Sequence, residues 1–385
     1  MRTRSFVAAA VPGLACAVMV QAVSPTNLLS FKPYMGIAYS PFRGNESPNF
    51  GLYPSVADIA DDLTNRVIYL ASEIATYGMD GSLSNIPALC NTYHIPCYPC
   101  AFLSDNLEDT TNELNALINV GNQRFATTRG LLVGSESLFQ GYDPAMLVSN
   151  INYVRAATGG TVPIGTRDTP TSFVNHPDVV AACDFIQADI YAYWAEVPID
   201  DAAAWTIQQW QMLTNDFPGT RVEIGEADWP TGGTNVLFSN PAVVASVENQ
   251  GKFLSEFVPL ANSNGIEYFI FDLRDEAWKV QDGFGTIETN WGIFDANSVK
   301  KQSLIDYLSA GFVLQLSPGD KISENILVPT FEGDLYLLLG TTNLADQSGN
   351  TYSTFTGAWG TNQTVIVQTN TSQPNTRFYR AVQAF

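Results

Sequence analysis

The sequence predicts an α/β protein, a (β/α)8 barrel followed by a small all-β appendage. From Tyr34 onward, short apolar runs alternate with longer amphipathic ones, the pattern of βαβ units built around a parallel sheet. Eight such runs fall between residues 34 and 273, a count that suits a closed barrel better than an open doubly wound sheet. Beyond residue 311 the pattern changes to short strands separated by Gly, Asn, Thr and Ser.

The chain opens with Arg2 and Arg4 ahead of an apolar stretch that ends at the small-residue exit Val20-Gln21-Ala22. This reads as a secretory leader over residues 1–22, cleaved near Ala22, and a lipid anchor at Cys16 is disfavoured by Gly13 where a lipobox carries Leu. The barrel is expected over 30–311 and the β-rich module over 312–385. Strands are expected at 34–39, 66–70, 95–103, 130–135, 162–166, 185–191, 221–226 and 267–273. Helical periodicity occupies 112–120, 144–157, 202–215 and 242–262, with a last barrel helix near 303–308. In the module, Tyr336, Phe355, Trp359 and Tyr379 read as core aromatics more readily than as sugar platforms. Sequons stand at Asn45, Asn362 and Asn370.

Composition narrows the function classes. The net charge is −20, and losing Arg2 and Arg4 with a leader makes it −22. Such a surface repels nucleic acid and anionic membranes, and no stretch after the leader is apolar enough to insert into a bilayer. Cys90, Cys97, Cys100 and Cys183 make an even set in an oxidising compartment, so one or two disulfides are expected, with the pairing open. Cys97 and Cys100 stand three apart in an expected strand, which puts them on opposite faces and argues against a metal site. Ser40-Pro41-Phe42-Arg43-Gly44-Asn45 follows the first strand where a phosphate-binding glycine loop would stand, so no nucleotide and no other cofactor is expected. The two histidines, His94 and His176, lie away from the C-terminal strand ends and offer little for a triad.

Chemistry in a barrel of this type comes from the C-terminal ends of the strands. The fourth strand runs through Leu131-Leu132-Val133-Gly134 into Ser135-Glu136, and the seventh through Val222-Glu223-Ile224-Gly225 into Glu226. Two carboxyl groups so placed suit glycoside cleavage, which needs one to protonate the leaving oxygen and one to attack the sugar. Glu223 competes for the second role, but its odd offset from Glu226 puts it on the other strand face and deeper in the sheet.

Four ordered motifs then resemble glycoside hydrolase family 17, the β-1,3-glucanases and related glucanosyltransferases, over residues 34–308. Val133-Gly134-Ser135-Glu136 is similar to the family's acid/base motif Val-Gly-Asn-Glu, and Glu226-Ala227-Asp228-Trp229-Pro230 to its nucleophile motif Glu-Thr-Gly-Trp-Pro. Phe271-Asp272-Leu273-Arg274-Asp275-Glu276-Ala277-Trp278-Lys279 resembles a stretch of the microbial branch, and 288–295 continues the match. The resemblance implies retaining cleavage of a β-1,3-glucan with Glu136 as acid/base and Glu226 as nucleophile. It implies that Asp275, Glu276, Lys279 and Glu288 support the cleft, that Tyr39 and Tyr191 are cleft tyrosines, and that Trp229 walls a sugar subsite. Ser135 and Asp189 stand where the family has asparagines, and Ala227-Asp228 replaces Thr-Gly and brings another acid towards the nucleophile. The implied partner is a neutral β-glucan, handled by a secreted monomer. Transfer to a sugar acceptor and binding without cleavage are the competing readings.

Overall fold

A computed structural model describes residues 34–304, together with the strand segments 4–5, 7–9, 20–22, 313–314, 323–329, 335–341, 353–359, 364–370 and 378–383. The chain divides into two compact units, Lys32–Ser303 and a second made of Met1–Phe31 with Leu304–Phe385.

The first unit is the expected barrel. Its strands are β1 (Tyr34–Ala38), β2 (Ala71–Ala75), β3 in two halves (Cys97–Tyr98 and Cys100–Ala101), β4 (Leu131–Ser135), β5 (Ile164–Asp168), β6 (Phe185–Asp189), β7 (Arg221–Ala227) and β8 (Tyr268–Ile270). Neighbours pair in parallel from β4 round through β8 to β1 and β2. The ring closes through β3, whose first half pairs with β2 and whose second half pairs with β4. Pro99 separates the halves because it has no N–H to place in a ladder. Its carbonyl accepts from Leu132 N–H at 2.8 Å, while the next amide, on Cys100, turns to the Thr76 hydroxyl at 3.1 Å. Gly36 lets β1 and β8 meet: a Cβ there would fall within the ring of Phe269.

The helices cover the outside of this ring. Pro144–Ala157 matches the expected bounds and starts as its residues dictate, with Asp143 accepting from Met146 N–H and Pro144 in the first turn. Leu114, Leu117, Ile118 and Gly121 form one stripe of Leu107–Gln123 and pack with Leu147, Ile151 and Val154 against Leu131 and Val133. The expected strand at 66–70 is instead the end of a helical run that begins at Val56, and the strand follows at Ala71. Val67, Ile68 and Tyr69 read as β-formers, but Leu63, Val67 and Leu70 lie one and two helical turns apart and are all fully buried.

Cys90, Cys97, Cys100 and Cys183 are free thiols, so the expected disulfides do not form among them. Cys90 sits on the helix Ile86–Tyr93, Cys97 and Cys100 on the two halves of β3, and Cys183 just past the helix Pro177–Ala182, while Cys100 directs its sulfur to the Ala101 carbonyl.

In the second unit, Ser323–Pro329 pairs antiparallel with Thr364–Asn370, and Leu335–Thr341 lies between Ser353–Trp359 and Phe378–Gln383. Strands at Arg4–Ser5, Val7–Ala9 and Val20–Ala22 join these sheets. Most of the expected helix at 303–308 and the sequon residue Asn362 lie outside the described residues, as do the side chains of Tyr336, Phe355, Trp359, Asn370 and Tyr379. Among the described residues no helix is long and apolar enough to cross a membrane.

Candidate active site

Glu136 stands just past β4 with φ of 50°, left-handed for a residue that carries a Cβ. Several contacts hold it there. Its N–H donates to the Arg167 carbonyl at 2.8 Å, and Asp168 accepts the N–H groups of Leu138 at 2.7 Å and Phe139 at 3.2 Å, pinning the turn that follows. Gly134, with φ of 86°, makes the approach possible, since a Cβ there would strike the Ser137 hydroxyl. Ser135 is buried at the strand end in register with Arg167. Burial pushes the Glu136 carboxyl up to about 8, aided by the charges of Glu226, Asp168 and Glu288 and opposed by Lys279.

Glu226 lies near the C-terminal end of β7 and is 4% exposed. Three donors converge on it. The Tyr77 hydroxyl, from the loop after β2, reaches Oε1 at 2.5 Å, and Arg167 Nη1 from β5 reaches the same oxygen at 3.2 Å. Tyr191, two residues past β6, donates to Oε2. Hydrogen bonds of this kind go to the ionised form of a carboxylate and stabilise it. The Tyr191 ring is fixed edge-on to Trp291 and Phe271, with centroids at 5.0 and 5.6 Å.

Lys279 links the two carboxyl groups electrostatically. Burial alone would lower its pKa, but Glu276, Asp272, Glu288 and Glu226 outweigh that and hold the ammonium charged. Its Nζ lies 3.2 Å from Glu276 Oε2 and 4.1 Å from the Phe271 ring centroid. Glu276 also accepts from the Ser40 hydroxyl and, at 2.9 Å, from the Trp278 indole.

Of the other expected site residues, Asp189 lies beside Glu226, while Tyr39, Trp229 and Asp275 fall elsewhere. Tyr39 is fully buried and turns its hydroxyl to Asp62 at 3.3 Å, in an ion-pair network that includes Arg274. Trp229 is fully buried behind Tyr193, with its indole N–H on the Val244 carbonyl at 2.8 Å, so it presents no free face to a sugar. The aromatic faces with partial exposure near it are those of Trp194 and Phe238, whose centroids are 6.1 Å apart. Asp275 braces the loop after β8 by accepting from Lys301 at 2.6 Å and from Gly292 N–H at 3.0 Å. Asp228 is turned away from the nucleophile, towards Trp229 N–H and Gln250, and burial raises its pKa. Asp189 is in register with Glu226, and both its oxygens are buried without a hydrogen-bond partner. Burial and the Glu226 charge raise its pKa well above the ordinary carboxyl range, against the pull of Arg167, whose Nε lies 3.9 Å from Oδ1.

Sequence reasoning missed Tyr77 and Arg167. The first follows a strand that was expected five residues too early, which hid the strand end. The second carried a readable signal, since Arg167-Asp168 closes the apolar run Ile164-Gly165-Thr166 as Glu136 and Glu226 close theirs.

Comparisons with known proteins identify the family. The model of the BtgE/BtgC glycoside hydrolase domain matches residues 36–292. A putative glucan endo-1,3-beta-glucosidase btgC of Aspergillus niger is 31% identical over 297 residues, covering 69% of this chain and 42% of that protein. The chain thus spans less than half the length of that relative. A glucan 1,3-beta-glucosidase of Saccharomyces cerevisiae is 29% identical over 199 residues, which cover 46% of this chain and 62% of that one. Among solved structures, a glycoside hydrolase family 17 beta-1,3-glucanosyltransferase from Rhizomucor miehei superposes with a TM-score of 0.60 at 26% identity, over 70% of this chain and 96% of its own.

Proposed function

The chain belongs to the BtgE/BtgC glycoside hydrolase family, within glycoside hydrolase family 17, and on that premise we propose that it cleaves β-1,3-linked glucan with retention of configuration. One observation carries the mechanism: two carboxyl groups at the C-terminal ends of β4 and β7 are prepared for opposite tasks. Glu226 accepts from Tyr77, Tyr191 and Arg167 and has no proton to give them in return, whereas Glu136 keeps its proton up to about 8.

In the first step Glu226 attacks the anomeric carbon while Glu136 gives its proton to the departing glycosidic oxygen, leaving a glycosyl-enzyme ester. With the proton gone, Glu136 takes one from a water that attacks the same carbon, releasing the sugar and restoring both groups. Lys279 offsets the negative charge of the cluster throughout.

Transfer is the second reading, favoured by the likeness to the Rhizomucor glucanosyltransferase. Here a sugar hydroxyl replaces water in the second step. The protein is further proposed to act as a monomer outside the cytoplasm, with residues 1–22 removed as a leader. Sequencing the N-terminus of secreted material and sizing it in solution test both points.

The central test is sugar release from laminarin, with barley mixed-linkage glucan and cellulose as comparisons, by the wild-type protein and by Glu226→Ala. Cleavage of laminarin that the variant abolishes supports family, linkage and nucleophile together. Undiminished cleavage by the variant removes Glu226 from the mechanism, and longer products with an added oligosaccharide acceptor favour transfer.

A further inference from the structure

A column of polar side chains runs inside the barrel from Glu226 towards the N-terminal ends of the strands. Arg167 on β5, Gln187 on β6 and Glu223 on β7 are all fully buried, and Glu223 shares the inner face with Glu226, against the opposite face its odd offset implied, because the β6–β7 register slips at Gly225. Barrel interiors are ordinarily filled by branched apolar side chains. Here Arg167 Nη1 donates to Glu226, while its Nε and Nη2 both donate to Gln187 Oε1, at 3.1 and 2.9 Å. Gln187 Nε2 then donates to Glu223 Oε2 at 2.9 Å. Glu223 is itself held by the Tyr98 hydroxyl and by Arg221 Nε, each at 3.1 Å.

The direction of the bonds in this column is set from both ends, because Arg167 can only donate and Glu223 presents an oxygen to the amide. A glutamine amide can be placed either way round, and only one way puts an oxygen against the guanidinium. Glu223 presents an acceptor to Gln187, so the amide must point its NH2 towards Glu223 and its oxygen towards Arg167. Burial and the neighbouring Glu267 favour the protonated form of Glu223, and a protonated carboxyl still offers its carbonyl oxygen. The guanidinium, fixed at one end by Gln187, is then fixed in plane by Tyr77, whose ring centroid lies 5.0 Å from the guanidinium carbon. Loss of the Glu223 acceptor leaves the Gln187 NH2 buried without its partner, so the side chain shifts to find another and loosens the oxygen by which Arg167 is aimed at Glu226.

We infer that Gln187 and Glu223 are positioning residues for the nucleophile, acting through Arg167 to aim a guanidinium at Glu226 Oε1. The inference rests on the reading of Glu226 as nucleophile, and the experiment separates the two.

Full-length Gln187→Met, Glu223→Met and Glu223→Gln are compared with wild type and Glu226→Ala on laminarin. Alongside, each is assayed for the rate of covalent labelling of Glu226 by an activated 2-deoxy-2-fluoro-glucoside oligomer. The methionine variants keep volume and lose the polar groups. They should lower kcat at least tenfold, keep KM within about twofold, and slow labelling in proportion. Glu223→Gln keeps an acceptor for the amide and should retain kcat within about threefold. Wild-type turnover in folded methionine variants overturns the inference, as does an equal loss in Glu223→Gln and Glu223→Met. Should the methionine variants not fold, Glu223→Gln decides alone: retained kcat supports the relay and a tenfold loss overturns it. Failure of the nucleophile reading looks different, because Glu226→Ala then stays active or the label lands on another residue.

Discussion

The hydroxyl of Tyr77 lies 2.5 Å from Glu226 Oε1 and joins residues 149 positions apart in the chain. Tyr191 mirrors it on the other carboxylate oxygen. Each bond to a charged group contributes roughly 1.5–3 kcal/mol. Tyr77→Phe and Tyr191→Phe keep the rings and their packing, and each should lower kcat about ten- to a hundredfold. Steady-state kinetics on laminarin check this, and a loss below threefold in both would detach the tyrosines from the reaction.

The proton on Glu136 sets the alkaline side of the activity profile. A carboxyl raised to about 8 acts as an acid below that pH, so kcat/KM should fall as pH rises through about 8. Lys279 opposes that rise, and its removal in Lys279→Met should move the alkaline limb to higher pH. A profile over the range from pH 5 to 10 measures both, and a limb that stays in place in the variant would separate Lys279 from Glu136.

Glu136 also links stability to pH. Its native pKa is raised above the ordinary 4.5 mainly by burial, so the native state binds the proton more tightly than the unfolded chain does. That contribution is complete below about 4.5 and is lost as pH rises to about 8. Glu136→Gln removes the penalty of an ionised buried carboxyl. It should raise Tm by a few degrees at pH 8.5 and change it little at pH 4, where thermal melts of the two proteins should coincide.

Asp62 anchors the helix before β2 to the loop after β8. Its fully buried carboxylate takes Arg274 Nη1 and Nη2 at 3.0 and 2.5 Å, with Arg43 Nη2 at 2.7 Å and Arg66 Nη1 at 3.2 Å. Removing one partner of a buried ion pair costs about 3–5 kcal/mol, because the remaining charge stays desolvated. Asp62→Ala should lose that amount in urea unfolding, and a change below 1 kcal/mol would mean that Arg274 finds water instead.

The barrel and its two carboxyl groups were legible in the sequence because both depend on local patterns. Strand runs ending in Gly-Ser-Glu and Gly-Glu mark the sites where chemistry gathers in this fold. The supporting groups were not, since their roles are set by tertiary direction. Tyr39 and Asp275 stand at strand and loop positions that suit a cleft, yet each meets a charged network on another element. Trp229 carries a motif position, and packing by Tyr193 decides that its ring stays covered. Arg167 is a cation inside a barrel, a choice that only the acids around it explain.

The divided third strand bears on how the barrel breathes. At Pro99 the ring passes from one neighbour to the other, and the adjoining amide of Cys100 is satisfied by the Thr76 hydroxyl instead of a ladder carbonyl. A hydroxyl rotates where a peptide carbonyl cannot, so the cylinder has a seam along which transient opening needs fewer ladder bonds to break than between β6 and β7. Deuterium should therefore enter the Cys100 amide earlier than the five-pair ladder between β6 and β7.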